Sequence, residues 1–258
     1  MSDSPPSDIR LPPAYRLVAL DSVGSTMDEA RARAVAGAED GTLIWAREQT
    51  AGRGRMGRGW ASPRGNLYFS LILRPDCPPA QAAQLGFIAA MAVGEAIGSV
   101  APPLDVTYKW PNDVLLSDRK VAGILMESLA LPDGGLDYLL LGCGVNVGTF
   151  PKDAAFPATS LRYEGTPASV TEVEVLEGFS RFFLAWVNRW LDDGFARIRL
   201  AWLDHAAFLG ERIEVRLPRE YLAGRFKDLD AEGHLVLQLD SGEERRIAAG
   251  EVFPPEQG

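Results

Sequence analysis

The apolar positions change period several times along the chain, and each change marks an element. From Tyr15 to Leu20 they read as a first strand, and Leu43 to Ala46 and Asn66 to Leu73 repeat the pattern. A helix is expected from Thr26, where Thr26-Met27-Asp28-Glu29 has the form of a capping box; Gly37 stands at its expected C-terminal end. Pro78-Pro79 opens an alanine-rich helical stretch running to about Val100. Further strands are predicted at Val106 to Trp110, Val114 to Leu116, Val121 to Leu129 and Tyr138 to Val147. Pro111-Asn112-Asp113 turns the chain between the first two, and Asp118-Arg119 between the second and third. Val173 to Leu191 and Phe195 to Phe208 carry apolar side chains at helical spacing.

Past Gly210 the pattern becomes short alternating runs (Arg212 to Leu217, Ala223 to Leu229, His234 to Leu239, Glu244 to Ala248) separated by turn residues. That is the signature of a small SH3-like β-barrel module. The expected class is α+β: a mixed or antiparallel sheet packed on helices over residues 15–209, then the β module over 210–258. Residues 1–14, with four prolines and no apolar run, read as a flexible arm.

Composition narrows the function. The 258 residues are 47% hydrophobic and 24% charged, enough for one sizeable core. Cys77 and Cys143 lie far apart without metal-ligand spacing, and His205 and His234 are too few for a His-based zinc site; buried thiols in a reducing compartment are expected. No targeting segment is visible, and Leu85 to Val100 is interrupted by Glu95 and too short for a bilayer, so the expected location is cytoplasmic, with no membrane partner. A net charge of −9 argues against a nucleic-acid partner. Yet between Arg47 and Arg64 five arginines face a single acid, Glu48, a cationic island suited to a small anion.

Three segments carry candidate chemistry. In Gly52-Arg53-Gly54-Arg55-Met56-Gly57-Arg58-Gly59-Trp60, glycines let backbone N–H groups approach a ligand and arginines supply planar forks for carboxylate or phosphate. The literal GxGxxG within it is not a dinucleotide fingerprint, because a strand rather than a helix follows. A solvated basic loop or an RNA-binding patch are the plainer readings. Lys109-Trp110-Pro111-Asn112-Asp113 sets a cation, an aromatic face, an amide and a carboxylate around one turn, fit for a nucleotide or simply a proline turn with Trp110 in the core. Lys120 enters an apolar strand as an edge charge or an inward anion ligand, with Gly123 allowing close approach. Gly142-Cys143-Gly144-Val145-Asn146-Val147 offers two glycines and an amide, or a bulge with a satisfied Asn.

In order and spacing these segments resemble the biotin protein ligase family. The resemblance rests on Asp21 to Thr26, Glu48-Gln49, Gly52 to Trp60, Ser62-Pro63 with Asn66 to Tyr68, Lys109 to Asp113, Lys120 to Glu127 and Gly144 to Asn146. It implies a class II synthetase-like catalytic fold with a C-terminal cap from Gly210. It also implies ATP-dependent conversion of biotin to biotinyl-5'-AMP with Mg²⁺, then transfer of biotin to a lysine of a biotin carboxyl carrier protein domain. Family members often form homodimers through the central sheet.

Position by position, the resemblance implies that Ser25, Thr26 and Gln49 hydrogen-bond the biotin ureido ring, with the backbone of Arg53 and Gly54 nearby. Arg55 and Lys120 would meet the biotin carboxylate and the α-phosphate. Arg58, Trp60, Asn112, Gly144 and Asn146 would contact the adenylate, with Lys109 and Asp113 beside them. Met27 stands where many relatives carry Asn, so packing replaces a hydrogen bond there. Too few residues precede Asp21 for the helix-turn-helix of regulatory members, so the enzyme-only form is expected. A carboxylate is already ionised at pH 7, so activation needs cations rather than a base. For the transfer step Asp113 is the expected proton acceptor. The alternatives are a lipoate ligase or octanoyl transferase of related fold, and a non-catalytic nucleic-acid-binding regulator.

Overall fold

A computed structural model describes residues 9–101 and 104–254. Its larger sheet has seven strands in the order β1-β2-β3-β7-β6-β5-β4: β1 Arg16–Val23, β2 Thr42–Gln49, β3 Leu67–Leu73, β4 Val106–Lys109, β5 Asp113–Leu116, β6 Arg119–Ala130 and β7 Leu136–Val145. Only β1 and β2 pair in parallel, with helix α1 (Thr26–Val35) as their crossover, and every other neighbour is antiparallel. The expected mixed sheet is therefore present.

One face of this sheet is closed by α3 (Leu85–Val100) and α4 (Glu172–Asp193), with α5 (Phe195–Leu203) behind them. Twelve residues of α3 are buried, and Gly178 of α4 meets Ala96 closely enough that a Cβ there would lie 3.1 Å from the alanine methyl. Phe179 continues the contact onto the sheet at 4.6 Å from Phe69, between ring centroids. Pro79–Val100 is long and apolar enough to cross a bilayer, longer than the expected 85–100 stretch, but here it is core helix. The opposite face carries α1 alone, over a smaller cluster of Met27, Ala30, Ala34, Ile44, Ile72, Tyr138 and Leu140. That asymmetry leaves β6 and β7 uncovered beside α1, where the cleft lies.

Several element ends differ from expectation. The residue before α1 is Ser25, in extended conformation, and Thr26 is already helical; its hydroxyl is drawn to Gln49 instead of capping the helix. Gly37, at φ +88°, does close the helix, because Gly37 N–H donates to Ala34 and Ala38 N–H to Arg33. The capping box found in the chain is Thr171 with Glu174, at the start of α4. The alanine-rich stretch breaks into a short α2 (Pro79–Ala82) and α3. The β5–β6 turn falls on Ser117-Asp118, both at positive φ, with Arg119 already in the strand. α5 ends at Leu203 rather than Phe208, since His205 and Ala207 exchange backbone hydrogen bonds with Tyr108 and cover the edge of β4.

The C-terminal module is a five-stranded antiparallel sheet of SH3-like kind, in the order β11-β10-β9-β8-β12: β8 Arg212–Arg216, β9 Tyr221–Leu229, β10 Leu235–Leu239, β11 Glu244–Ile247 and β12 Glu251–Phe253. β12 is an addition to the expected strands, too short to show a period. Of the expected arm, residues 1–8 lie outside the described residues; Ile9 and Leu11 pack against the main core, and Arg10 N–H donates to Glu177.

Candidate active site

The floor of the cleft is built from glycine. Gly123 of β6 and Gly144 of β7 are register partners, and Gly142 lies two residues before Gly144 on the same face. With no side chains to rise from them, the Trp60 indole lies against Gly123 and Gly144, and the Met27 thioether lies against Gly142. A Cβ at Gly123 would be 3.2 Å from the Trp60 ring, and one at Gly144 or Gly142 closer still to its neighbour. Cys143, between two floor glycines, points into the core, where burial raises its thiol pKa.

A bulge decides where Lys120 points. In the β5–β6 ladder Asp113 pairs with Gly123 and Val114 with Ala122, but Leu115 pairs with Lys120, leaving Val121 as an extra residue. The alternation is thereby reset, and Lys120 shares the cleft face with Asp113 and Gly123. Its Nζ stands 2.5 Å from one Asp113 oxygen and 5.3 Å from the centre of the Trp60 ring. Lys109 takes the other Asp113 oxygen at 2.9 Å, donates to the carbonyl of Val252 at 3.3 Å, and lies over the rings of Phe156 and Phe253.

Burial pushes the Asp113 carboxyl up, but the two lysines outweigh it and hold the group below the ordinary carboxylate range. With one oxygen on each lysine, Asp113 organises the two cations, and to accept a proton it would first have to release one of them.

The arginine-glycine segment forms a small hairpin. Arg53 and Gly59 form an antiparallel bridge, Gly54 N–H donates to Arg58 at 2.7 Å, and a single 3₁₀ turn at Arg55–Gly57 projects Met56 into solvent. The three arginines diverge. Arg53, which lines the cleft, pairs its guanidinium with Asp28 at 2.5 Å and Glu127 at 2.8 Å. Arg55 donates to Asn112 Oδ1 at 3.0 Å and to the carbonyl of Gly250 at 3.2 Å. Burial lowers the Arg55 pKa, partly offset by Asp113 and Glu251, although a guanidinium stays charged at neutral pH. Arg58 is ion-paired with Glu251. Arg55, partly buried, and Arg58, exposed, thus both meet the module that carries β12.

At the other end of the cleft a polar chain links α1 to β2. Thr26 N–H and hydroxyl both donate to Gln49 Oε1, at 2.8 and 3.0 Å, Ser70 donates to Thr26 at 2.8 Å, and Gln49 Nε2 donates to Ser62 at 2.9 Å. Ser25 is buried beside them with no capping bond to its side chain. Asn146 donates to the carbonyl of Thr159 at 3.0 Å and Asn112 to that of Ile124 at 2.5 Å.

The residues given a role by the resemblance, from Ser25, Thr26, Met27 and Gln49 through Arg53, Gly54, Arg55, Arg58 and Trp60 to Lys109, Asn112, Asp113, Lys120, Gly144 and Asn146, line this one cleft of about 360 Å³, whereas Trp110 lies in the core and its indole N–H donates to the carbonyl of Gly233 at 3.1 Å. Sequence reasoning missed the far wall, made by Phe156 with its neighbours in 151–158 and by Glu251 and Phe253. Only Asn66 gave a readable signal for that side: its Oδ1 accepts from Val147, Gly148 and Thr149 N–H and shapes the loop after β7.

Known proteins match this chain along most of its length. Residues 11–204 match the model of the biotin/lipoate A/B protein ligase family, and residues 208–253 match that of the biotin protein ligase C-terminal domain. A biotin–[acetyl-CoA-carboxylase] ligase of Paracoccus denitrificans is 41% identical over 216 residues, 81% of this chain and 89% of that protein. A bifunctional ligase/repressor BirA of Bacillus spizizenii is 36% identical over 234 residues, 88% of this chain and 70% of that protein. Among solved structures, a biotin protein ligase from Aquifex aeolicus in complex with biotin and ATP superposes with a TM-score of 0.77 at 29% identity, covering 92% of this chain and 97% of the other.

Proposed function

Since this chain belongs to the biotin/lipoate A/B protein ligase family, we propose that it activates biotin with ATP to biotinyl-5'-AMP and transfers the biotinyl group to a lysine of a carrier protein domain. The observation that carries this reading is the convergence, in one cleft, of a polar end at Ser25, Thr26 and Gln49 and a cationic end at Arg55, Lys109 and Lys120. A bicyclic urea with an anionic tail has that same polarity.

The ureido group lies against Ser25, Thr26 and Gln49 and the backbone of Arg53 and Gly54, with Met27 packing on the ring. The side chain of biotin then runs over the glycine floor toward Lys120 and Arg55. Those cations screen the repulsion between the carboxylate and the ATP α-phosphate and follow the charge as a carboxylate oxygen attacks phosphorus and pyrophosphate leaves. Arg58, Trp60, Lys109, Asn112, Gly144 and Asn146 hold the adenylate. For Arg58 this means exchanging Glu251 for phosphate. In the second step the neutral carrier amine attacks the acyl carbon, AMP departs with its phosphate, and the amine's proton passes to solvent. Closure of the hairpin and Phe156 over the anhydride would slow its hydrolysis.

Mg²⁺ takes oxygen ligands. Both Asp113 oxygens are held by lysines and Glu251 is held by Arg58, which leaves Asp153 as the cleft-lining carboxylate without an ion pair among the described residues; an ion here would be carried mainly by the ATP phosphates. A cytoplasmic location fits an enzyme that uses ATP and an intracellular carrier.

The direct test is to incubate the purified chain with biotin, ATP and an isolated biotin carboxyl carrier domain, and to probe the carrier for biotin. Labelling that disappears when the carrier's acceptor lysine is replaced by arginine supports the reading; an unlabelled carrier contradicts it.

A further inference from the structure

A solvent-exposed lysine is protonated at neutral pH, so the acceptor of the second step approaches as an ammonium. The end of the cleft where the anhydride would lie is cationic. Lys109, Lys120 and Arg55 stand there around one carboxylate, Asp113. Even with the single adenylate phosphate in place, that end repels a further positive charge. An acceptor lysine therefore needs an anionic partner before it reaches the acyl carbon.

Three carboxylates line the cleft, Asp113, Asp153 and Glu251, and two of them are taken. Asp113 has one oxygen on each lysine, and Glu251 is paired with Arg58. Asp153 is exposed and has no ion pair among the described residues. The segment that carries it is fixed on both sides. Before it, Gly148 N–H donates to the carbonyl of Gly65 at 3.0 Å and to Asn66 Oδ1 at 2.8 Å. After it, Lys120 N–H donates to the carbonyl of Pro157 at 2.7 Å, and Thr159 N–H donates back to Lys120 at 2.9 Å. Between these anchors Phe156 lies 4.7 Å from the Lys109 ammonium. Asp153 thus stands on the solvent side of the cleft, on a segment tied to the backbone of Lys120.

We propose that Asp153 is the residue that receives the ammonium of the carrier's acceptor lysine at the mouth of the cleft. The inference rests on the ligase reading above. The carboxylate pairs with the incoming charge while the carrier docks. As the nitrogen moves inward, Lys120 and Arg55 favour its neutral form, and the proton passes to solvent. Adenylation admits no ammonium, so Asp153 acts in the transfer step alone.

The test supplies preformed biotinyl-adenylate to the wild-type chain and to Asp153→Asn, with either a biotin carboxyl carrier domain or hydroxylamine as the acceptor. Hydroxylamine is uncharged at neutral pH and brings no ammonium for Asp153 to receive. Transfer to the carrier should fall about tenfold, mostly through a higher KM for the carrier. The difference should shrink as salt is raised. Transfer to hydroxylamine should be unchanged, and Asp153→Glu should restore the carrier reaction. An Asp153→Asn chain that labels the carrier as fast as the wild type overturns this inference alone. So does an equal loss with both acceptors, or a matching loss of biotin-dependent pyrophosphate exchange, which would put Asp153 on the nucleotide or its metal ion. A wild-type chain that transfers biotin to neither acceptor overturns the ligase reading and this inference with it.

Discussion

Lys120 and Asp113 form an ion pair at 2.5 Å across the β5–β6 ladder, and the pair exists because one extra residue, Val121, turns Lys120 to the cleft face. Asp113 is shared with Lys109, so one buried carboxylate fixes two cations at once. Removing it leaves both ammonium groups without their partner. Asp113→Asn should destabilise the protein by roughly 3–5 kcal/mol, measured by denaturant unfolding, and should lower adenylation more than transfer from preformed adenylate. Normal stability and normal adenylation would show that the lysines do not need it.

The same carboxylate sets an acid limit. Its pKa is lower in the folded chain than in the unfolded one, so its contribution is fully present above the unfolded value of about 4 and is lost as pH falls through the folded value. The stability of the wild type should therefore decline below about pH 4 more steeply than that of Asp113→Asn. Parallel unfolding curves for the two proteins would contradict this.

Lys120→Ala and Arg55→Ala address the cationic end directly. Each should reduce adenylation by about 10²–10³-fold while leaving biotin binding far less affected, as read by calorimetry beside single-turnover kinetics. Near-normal adenylation by both variants would remove their assigned roles.

At the polar end, Gln49→Ala leaves the Thr26 N–H and hydroxyl without their acceptor. Biotin affinity should fall by about 1–3 kcal/mol, with ATP affinity in the absence of biotin unchanged. An equal loss for both ligands would mean that the substitution disturbs the whole cleft.

The floor offers a steric test. A methyl group at Gly144 would collide with the Trp60 indole, which is a side chain and therefore displaceable. Gly144→Ala should keep the fold and cost about 1–3 kcal/mol in ligand binding, with a shift in Trp60 fluorescence. Unchanged binding would show that the indole does not need its present position.

Much of the architecture is legible in the amino-acid sequence. Strand periods and the helical spacing of 173–191 mark the layers, because burial on one face leaves a readable repeat. The motif residues mark the cleft because ligand chemistry demands unusual neighbours, as at Gly52–Trp60 and Lys109–Asp113. What stays hidden is set by contacts remote in sequence. Thr26 has the local pattern of a helix cap but is held by Gln49, 23 residues away. Asp113 has the chemistry of a base, and only the folded ladder and Lys109 reveal that both oxygens are taken. β12 has three residues, too few for a pattern, yet it brings Glu251 and Phe253 to the site from the C-terminal module.

The central claim is that this cleft joins a biotin carboxylate to adenylate, and ATP–pyrophosphate exchange measures that step alone. Exchange by the purified chain should require biotin and should not be supported by lipoate or octanoate. Exchange supported by lipoate or octanoate but not by biotin would assign the cleft to a different acid, and no exchange with any of the three would contradict an adenylating role.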